Sequence, residues 1–173
     1  MNIEEKLLLG NTKYQKDMRD NISKSELNEE LSKGQNPYAL IITCSDSRVI
    51  PEEIFNASIG ELFIIRSAGN VINDGELASI EYGIEHLHIE YVLVLGHTSC
   101  GAVHAAIHDE KGMYLSPILS RIKEGIGSEK DERKCSMMNA NKQVMYIKSK
   151  FPKYKGSVKA GLYDIKTNEV VIL

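Results

Sequence analysis

Short apolar runs alternate along the chain with segments whose apolar residues have helical spacing. The runs "YALIIT" (Tyr38 to Thr43) and "YVLVLG" (Tyr91 to Gly96) are apolar on both faces, which is typical of central parallel strands. Between them, "ELFIIR" (Glu61 to Arg66) predicts another strand. The last residues, "SVKAGLYDIKTNEVVIL", predict two more strands joined around residues 164–168.

The segments between these runs predict helices. A short helix is expected at "PEEIF", because proline suits the first turn. In "NDGELASIEYGIEHL", Asn73 or Asp74 is the expected cap, and the apolar positions have helical spacing (Leu77, Ile80, Ile84 and Leu87). Another helix opens at "GAVHAAIH", and one apolar face marks a further helix (Ala140, Val144, Ile147 and Phe151).

Strands that alternate with helices predict an α/β fold: a mainly parallel β-sheet flanked by helices. Ahead of this core, the charged stretch from Ile3 to about Asp20 predicts a helical arm, and a second helix is expected from Lys24 to Lys33, ending at Gly34. No repeat, low-complexity tract or linker interrupts the sequence. We therefore expect one domain over residues 1–173, with the arm in 1–34 and the core in 35–173.

Composition narrows the class of protein. The 173 residues carry a formal net charge of -3 without a basic stripe, which argues against a nucleic-acid or membrane-surface binder. The start of the sequence lacks the pattern of a secretory signal, and the apolar runs are too short to span a bilayer, so a cytoplasmic location is expected. Three cysteines in a reducing compartment argue against a disulfide framework, so each thiol is buried, reactive or metal-bound.

Two of the predicted strands end in chemistry-bearing residues. Cys44 follows "YALIIT", and "GHTSCGA" places His97 and Cys100 three residues apart, where a strand enters a helix. In α/β sheets, ligands bind beyond the carboxyl ends of the strands. His97 and Cys100 can converge on one ion, and Cys44 can add a third ligand from a neighbouring strand end. Zinc accepts such sulfur and nitrogen ligands, and three of them with one open position form a catalytic pattern.

Other interpretations of these residues remain open from the spacing alone. Each cysteine could be a small buried hydrophobic residue, or Cys100 could be a nucleophile activated by a histidine and a helix N-terminus. His104 and His108, at i and i+4, could bind metal on a helix face, although "HAAIH" lacks the glutamate of the zincin pattern. Cys135 has no ligand-like neighbours and is interpreted as structural.

Asp46 and Arg48 follow Cys44 directly, two residues apart. In extended backbone, such side chains share a face, and a guanidinium can hold a carboxylate through two N–H bonds. The pair could be a structural ion pair. Beside a metal, however, Asp46 held by Arg48 could accept a hydrogen bond from metal-bound water, and a released Asp46 could bind the metal and close the site.

These motifs together resemble a known family. The segments "CSDSR", "RSAGN" and "HTSCG" resemble the β-class carbonic anhydrases, and the resemblance extends from "LLLGN" to "GLYDIKTNEVVIL". It implies a zinc enzyme that reversibly hydrates carbon dioxide to bicarbonate and a proton, with Cys44, His97 and Cys100 as ligands and with Asp46 and Arg48 as a catalytic dyad. It also implies four parallel strands plus a C-terminal edge strand, and dimers that often pair further, in which N-terminal helices embrace the partner subunit.

The plant-type members of this family line a narrow substrate pocket partly across the dimer interface. By position, the resemblance assigns Gln35, Phe63 and Tyr82 to this pocket and makes the Gly101 N–H a donor near the metal. Judged by composition alone, Phe63 and Tyr82 would be core residues. The chain departs from many members at Ser67, where they have asparagine, and the short polar segment between His108 and Met137 permits no transfer of features.

The resemblance suggests a mechanism in which zinc brings the pKa of its bound water to about 7, so that hydroxide attacks carbon dioxide. Two thiolates should weaken this effect, and we hypothesise that Asp46 compensates by orienting the hydroxide. Phe63 and Tyr82 would hold the apolar substrate, while Gln35 and the Gly101 N–H would bind the developing charge. The alternatives are a related zinc hydrolase acting on carbonyl sulfide or carbon disulfide, and a low-turnover bicarbonate-binding zinc protein. The sequence leaves dimer against tetramer open.

Overall fold

The structure is a computed structural model that describes residues 11–13, 15–16 and 29–173. The chain divides into two compact units, Met1–Asn36 and Pro37–Leu173. In the first unit, residues 11–13, 15–16 and 29–31 are helical, and Gln15 Nε2 donates to Asn11 Oδ1 at 2.6 Å, one turn away. The remainder of the predicted arm, including its start at Ile3 and most of the helix predicted from Lys24, lies outside the described residues.

The second unit is built on one five-stranded sheet with the order β2-β1-β3-β4-β5. The first four strands are parallel, and β5 is antiparallel to β4. The strands are β1 (Ala39–Cys44), β2 (Leu62–Ser67), β3 (Tyr91–His97), β4 (Ser157–Tyr163) and β5 (Val170–Ile172). The predicted sheet, with four parallel strands and a C-terminal edge strand, is therefore confirmed.

Burial follows position in the sheet. Every residue of β1 is buried, as are all residues of β3 except Tyr91, because these two strands are covered on both faces. Strand β2 lies at one edge and is only partly buried. At the opposite edge, the turn between β4 and β5 is closed where Asn168 N donates to Asp164 O at 2.8 Å, and Asn168 has a positive φ of 61°.

Five α-helices connect the strands of this unit. They are α1 (Pro51–Ile54), α2 (Asp74–Glu81), α3 (Gly101–Ile107), α4 (Ser116–Ile126) and α5 (Glu132–Lys150). Asn73 caps α2, as predicted, and its backbone N–H donates to Glu76 Oε2 at 2.8 Å. Beyond Glu81 this helix continues as one π-helical segment, Tyr82–His86.

Helix α4 was not predicted from the pattern of the sequence. Leu119, Ile122 and Ile126 recur at helical spacing and are buried, but polar and charged residues separate them. These three side chains pack in an apolar cluster that also contains Cys44, Cys100 and Cys135. Helix α4 therefore covers the region where β1 and β3 end.

The core lies on both faces of the sheet. On one face, Leu40, Ile42 and Val94 pack against the apolar side of α5, whose buried residues include the predicted Ala140, Val144 and Ile147. On the other face, a second cluster contains alternate residues of β1 and β3 (Ala39, Ile41, Leu93 and Leu95) together with Val49 and with Tyr163 of β4. None of the helices in the described part of the chain combines the length and apolar character that a membrane span requires.

Candidate metal centre

The end of the parallel sheet brings Cys44 and His97 together. Cys44 is the last residue of β1 and His97 the last of the adjacent β3, and the two strands pair in register up to Thr43 and Leu95. The buried Thr43 hydroxyl donates to the Leu95 carbonyl at 2.9 Å and ties the strands together there.

A tight turn then returns the chain toward the same point. Ser99 has a positive φ of 54°, and Cys100 follows as the N-cap of α3. The Thr98 N–H donates to the Tyr163 carbonyl at 3.0 Å, which anchors the turn to β4. Cys100 is therefore positioned by both the turn and the helix that it begins.

The structure brings the three predicted ligands into one buried cluster. The Sγ atoms of Cys44 and Cys100 are 4.0 Å apart, and one ligand atom from each of Cys44, His97 and Cys100 lies within 4.8 Å of the others. Over the residues that the structure describes, this is the one group of three or more histidine, cysteine or acidic side chains that meets this distance. Two sulfurs and one imidazole nitrogen at this separation could bind a metal ion.

The orientation of the His97 ring leaves one of its nitrogens available to bind a metal ion. Its Nδ1 lies 2.9 Å from the Thr98 carbonyl, so Nδ1 carries the proton and donates. Its Nε2 is buried and has no hydrogen-bond partner among the described residues. A buried nitrogen lone pair without a partner is costly, and a metal ion beside the two sulfurs would satisfy it.

The pKa values of the two thiols are shifted in opposite directions. A hydrogen bond from Cys100 lowers the pKa of Cys44 to about 4 against the opposing effect of burial, with His97 and the N–H groups of Asp46 and Gly69 also contributing. The hydrogen bond with Cys44, together with burial, raises the pKa of Cys100. The pair thus releases one proton readily and resists losing the second. A cation between the sulfurs would remove that resistance.

The Asp46 carboxylate is hydrogen-bonded to Arg48 and does not join the cluster of Cys44, His97 and Cys100. The Arg48 guanidinium donates from Nε to Oδ1 at 2.9 Å and from Nη2 to Oδ2 at 2.7 Å, and these hydrogen bonds hold the pKa of Asp46 well below its usual range. Arg48 Nη2 also donates to the Ser99 carbonyl at 3.0 Å. Asp46 Oδ2 lies 4.0 Å from His97 Nε2, beyond hydrogen-bond reach. Of the two arrangements left open by the sequence, the structure contains the paired one.

A second arginine, to which the sequence analysis gave no role, supports the same loop. Arg66 donates from Nη2 to the Asp46 carbonyl at 2.7 Å and from Nε to the Cys44 carbonyl at 3.1 Å. These two hydrogen bonds hold the backbone of both residues. An arginine at the end of the neighbouring strand, within "RSAGN", is the signal that could have indicated this role.

The predicted aromatic residues lie together but away from the cluster. The rings of Phe63 and Tyr82 are 6.1 Å apart, and Tyr82 is 46% exposed. Phe63 pairs with Leu40 while Ser67 pairs with Cys44, so Phe63 lies about 13 Å from Cys44 along the strands. Within one chain, these rings do not reach Cys44.

The two remaining pocket residues have different surroundings. Gly101 is exposed as the first residue of α3, and a Cβ built on it would meet no atom within 4 Å. Its N–H belongs to the peptide group that joins it to Cys100, at the start of α3. Gln35 is exposed in the first unit.

The alternative histidine pair lies on the surface. The rings of His104 and His108 are 4.4 Å apart, and His104 Nδ1 is hydrogen-bonded to Glu132 at 2.7 Å. These residues form no three-member ligand cluster in the described residues. Cys135 is buried in α5, where its thiol donates to the Glu129 carbonyl at 3.5 Å, and burial raises its pKa.

Two buried amides on α5 also escaped the sequence analysis. Asn139 Nδ2 donates to the Gly69 carbonyl at 2.8 Å, and the Gly69 N–H donates to the Cys44 sulfur at 3.3 Å. Gln143 bonds Asn139 from one turn further along the helix. Both amides are next to the apolar stripe of α5, and polar residues at such core-facing positions are the signal that could have identified them.

Comparison with known proteins gives a consistent family. The family described as "Carbonic anhydrase" matches residues 39–171. A carbonic anhydrase of Synechococcus elongatus is 53% identical over 87 residues, covering 47% of this chain and 32% of that protein. A Helicobacter pylori carbonic anhydrase is 34% identical over 140 residues, covering 75% of this chain and 62% of that protein. The matched stretches thus span less than two thirds of these relatives.

Solved structures with the same fold cover almost the whole chain. The β-carbonic anhydrase CafA of Aspergillus fumigatus superposes with a TM-score of 0.85 at 25% identity, covering 99% of this chain and 91% of that one. The Coccomyxa β-carbonic anhydrase in complex with acetazolamide gives 0.81 at 26% identity, covering 96% and 84%. The matched sequence and the shared fold confirm the resemblance seen in the motifs: the chain belongs to the carbonic anhydrase family, in its β class.

Proposed function

We propose that this chain is a zinc enzyme that reversibly hydrates carbon dioxide to bicarbonate and a proton. The observation that carries the proposal is the buried, unpartnered Nε2 of His97, clustered with the sulfurs of Cys44 and Cys100. Membership of the carbonic anhydrase family supports the same reaction. The cytoplasmic location stays a prediction from the sequence.

The donor set suits zinc. Two thiolates and one imidazole are ligands that zinc prefers in tetrahedral sites, and three protein ligands leave the fourth position open. Zinc supplies Lewis-acid chemistry when bound, lowering the pKa of a water molecule to about 7 so that hydroxide is available at neutral pH. Cys44, His97 and Cys100 would hold the ion, and the Thr98 carbonyl keeps His97 in the tautomer that it requires.

Asp46 orients the attacking water. Because Arg48 lowers its pKa, the Asp46 carboxylate stays ionised at neutral pH and can only accept hydrogen bonds. It accepts one from the water, which directs an oxygen lone pair toward the carbon of carbon dioxide. Arg48, which also donates to the Ser99 carbonyl, fixes the carboxylate in advance, so little reorganisation accompanies the reaction.

Hydrogen-bond donors of the backbone and of an amide side chain would stabilise the negative charge that develops on the substrate oxygens. The Gly101 N–H opens α3 next to Cys100, where the helix dipole favours negative charge. By resemblance, the Gln35 side chain is a second donor. These groups would bind bicarbonate until water replaces it.

A second copy of the chain would complete the substrate pocket. Phe63 and Tyr82 lie together, with Tyr82 half exposed and Phe63 about 13 Å from Cys44 along the strands, so they would line the site of a partner rather than their own. The working form is therefore a homodimer or a dimer of dimers, and the N-terminal arm is a predicted dimer contact.

The proposal is tested on the purified chain by elemental analysis together with stopped-flow measurement of carbon dioxide hydration. We expect about one zinc per chain, as one three-ligand site requires, and rapid hydration. Zinc-loaded protein that hydrolyses carbonyl sulfide or carbon disulfide instead would indicate the related hydrolase. Zinc without turnover of any of these substrates would indicate a bicarbonate-binding protein.

A further inference from the structure

Two buried amides of α5, Asn139 and Gln143, form a ladder that leads to the sulfur of Cys44. The Cys44 sulfur accepts a hydrogen bond from the Gly69 N–H at 3.3 Å. The carbonyl of the same Gly69 accepts from Asn139 Nδ2 at 2.8 Å. Gly69 therefore connects the amide ladder to Cys44. Its N–H donates to the Cys44 sulfur, and its carbonyl accepts from Asn139.

The ladder continues one turn along α5. Gln143 Nε2 donates to Asn139 Oδ1 at 3.2 Å, and Gln143 Oε1 accepts from the Ile72 N–H at 3.1 Å. Arg121 of α4 then donates to the Ile72 carbonyl at 2.7 Å. The segment 69–72 is thus held at Gly69 and at Ile72 by side chains whose spacing is set by a helix.

The ladder is buried, which makes its hydrogen bonds costly to lose. Asn139 is 0% exposed and Gln143 is 3% exposed. An amide without its partner in such surroundings would bear the full desolvation cost, which its hydrogen bonds otherwise offset. The two amides therefore have strong preferences for the positions of Gly69 and Ile72.

The backbone conformation of Gly69 is tightly constrained. Its φ of 63° lies in the left-handed region, and a Cβ at this position would approach Ile122 Cδ1 to 2.8 Å and Ala102 Cβ to 3.1 Å. The close approach of α3 and α4 therefore confines the Cα of Gly69, while Asn139 holds the peptide group that follows it. The direction of the Gly69 N–H is determined by both.

We propose that Asn139 and Gln143 are positioning residues that hold the Gly69 N–H on the Cys44 sulfur and so set the donor strength of that ligand. The inference rests on the proposed function, since it assigns these residues to a site that binds metal. Hydrogen bonds to a cysteine sulfur are one of the means by which proteins adjust a bound metal. Partners of ligands orient them, and their loss typically weakens metal binding about 10- to 100-fold.

The test uses cobalt-substituted protein, whose thiolate-to-cobalt charge-transfer absorption reports on the sulfur. Asn139→Ala removes the bond to Gly69, and Gln143→Met removes the next one while keeping the side-chain volume, so that this variant is expected to fold even if the first does not. Without its hydrogen bond the sulfur lone pairs rise in energy. We expect the band to move to lower energy, more in Asn139→Ala than in Gln143→Met, with zinc affinity about 10-fold lower.

Two controls on the same helix separate positioning from stability. Val144→Ala opens a cavity in the core without touching the ladder, so it lowers stability and should leave the band in place. Asn141→Ala removes an exposed side chain whose amide donates to the Met137 carbonyl of the same helix. Its band and its zinc affinity should both equal those of the wild type.

Each outcome decides between the two interpretations. A band that moves in the ladder variants and not in the controls supports positioning. A band unmoved in the ladder variants, or moved equally in Val144→Ala, overturns it and leaves the zinc enzyme intact. Wild-type protein that takes up neither cobalt nor zinc overturns the ladder proposal and the proposed function together.

Discussion

The guanidinium of Arg48 donates to both carboxylate oxygens of Asp46, at 2.9 and 2.7 Å. The backbone N–H of Arg48 donates to the same carboxylate at 3.0 Å, so three hydrogen bonds fix one side chain. This arrangement holds Asp46 next to the His97 nitrogen without allowing contact with it. In the proposed mechanism, two tasks would therefore be separate: Cys44, His97 and Cys100 would hold the metal, and Asp46 would orient the water that reacts.

Replacing Asp46 tests the second task. Asp46→Asn should keep zinc and lose about 100-fold or more in hydration rate, because the amide carries no charge and can donate where the carboxylate only accepts. Stopped-flow hydration assays and elemental analysis of the same sample measure both effects. Full activity in the variant would exclude the role assigned to Asp46.

Replacing Arg48 tests how Asp46 is held. Lysine cannot form the two parallel bonds, so Arg48→Lys should retain zinc and lower hydration about 10-fold or more, as expected for a misplaced catalytic group. Arg133→Lys is the matched control, because the Arg133 side chain is as exposed as that of Arg48 but pairs with Asp164 instead of Asp46. Equal rates in the two variants would argue against a role for Arg48 beyond charge.

Replacing one cysteine tests the first task. Cys100→Ala should lose the metal, since two remaining ligands bind zinc far more weakly than three. Cys135→Ala is the control, because this cysteine is equally buried and donates to the Glu129 carbonyl instead. Stoichiometric zinc in Cys100→Ala, measured after dialysis, would refute the assignment of that ligand.

Gly69 affects both the stability of the fold and the surroundings of the Cys44 sulfur. Gly69→Ala should lower the free energy of unfolding by about 1–3 kcal/mol, because the new Cβ meets Ile122 and the φ is unfavourable for alanine. In contrast, Gly75→Ala in α2 meets no atom within 4 Å and should stabilise the protein by about 0.5–1 kcal/mol. Urea unfolding measures both, and equal effects would show that neither the contact with Ile122 nor the positive φ opposes a Cβ at position 69.

The sheet and the ligand cluster could be predicted because their signals are local. Strand β1 is apolar on both faces, and only a central strand needs that pattern. The positions of Cys44 and His97 at strand ends then follow from the geometry of parallel sheets. The cap at Asn73 was equally visible, since a capping residue acts on its own helix.

The features that escaped prediction depend on contacts distant in the sequence. Helix α4 has three buried apolar residues among polar ones. How much these three residues stabilise the helix depends on the surface against which they pack. Asn139 resembles a surface residue until its partner Gly69, 70 positions away, is known. Phe63 and Tyr82 have a function in this account only if a second chain is present.

In the proposed site, two sulfurs and one imidazole hold a zinc ion and leave a fourth position open. Zinc-edge X-ray absorption on the purified protein measures this ligand set. We expect two sulfur ligands at about 2.3 Å and nitrogen or oxygen ligands at about 2.0–2.1 Å. Zinc surrounded by nitrogen and oxygen alone, with no sulfur shell, would contradict it.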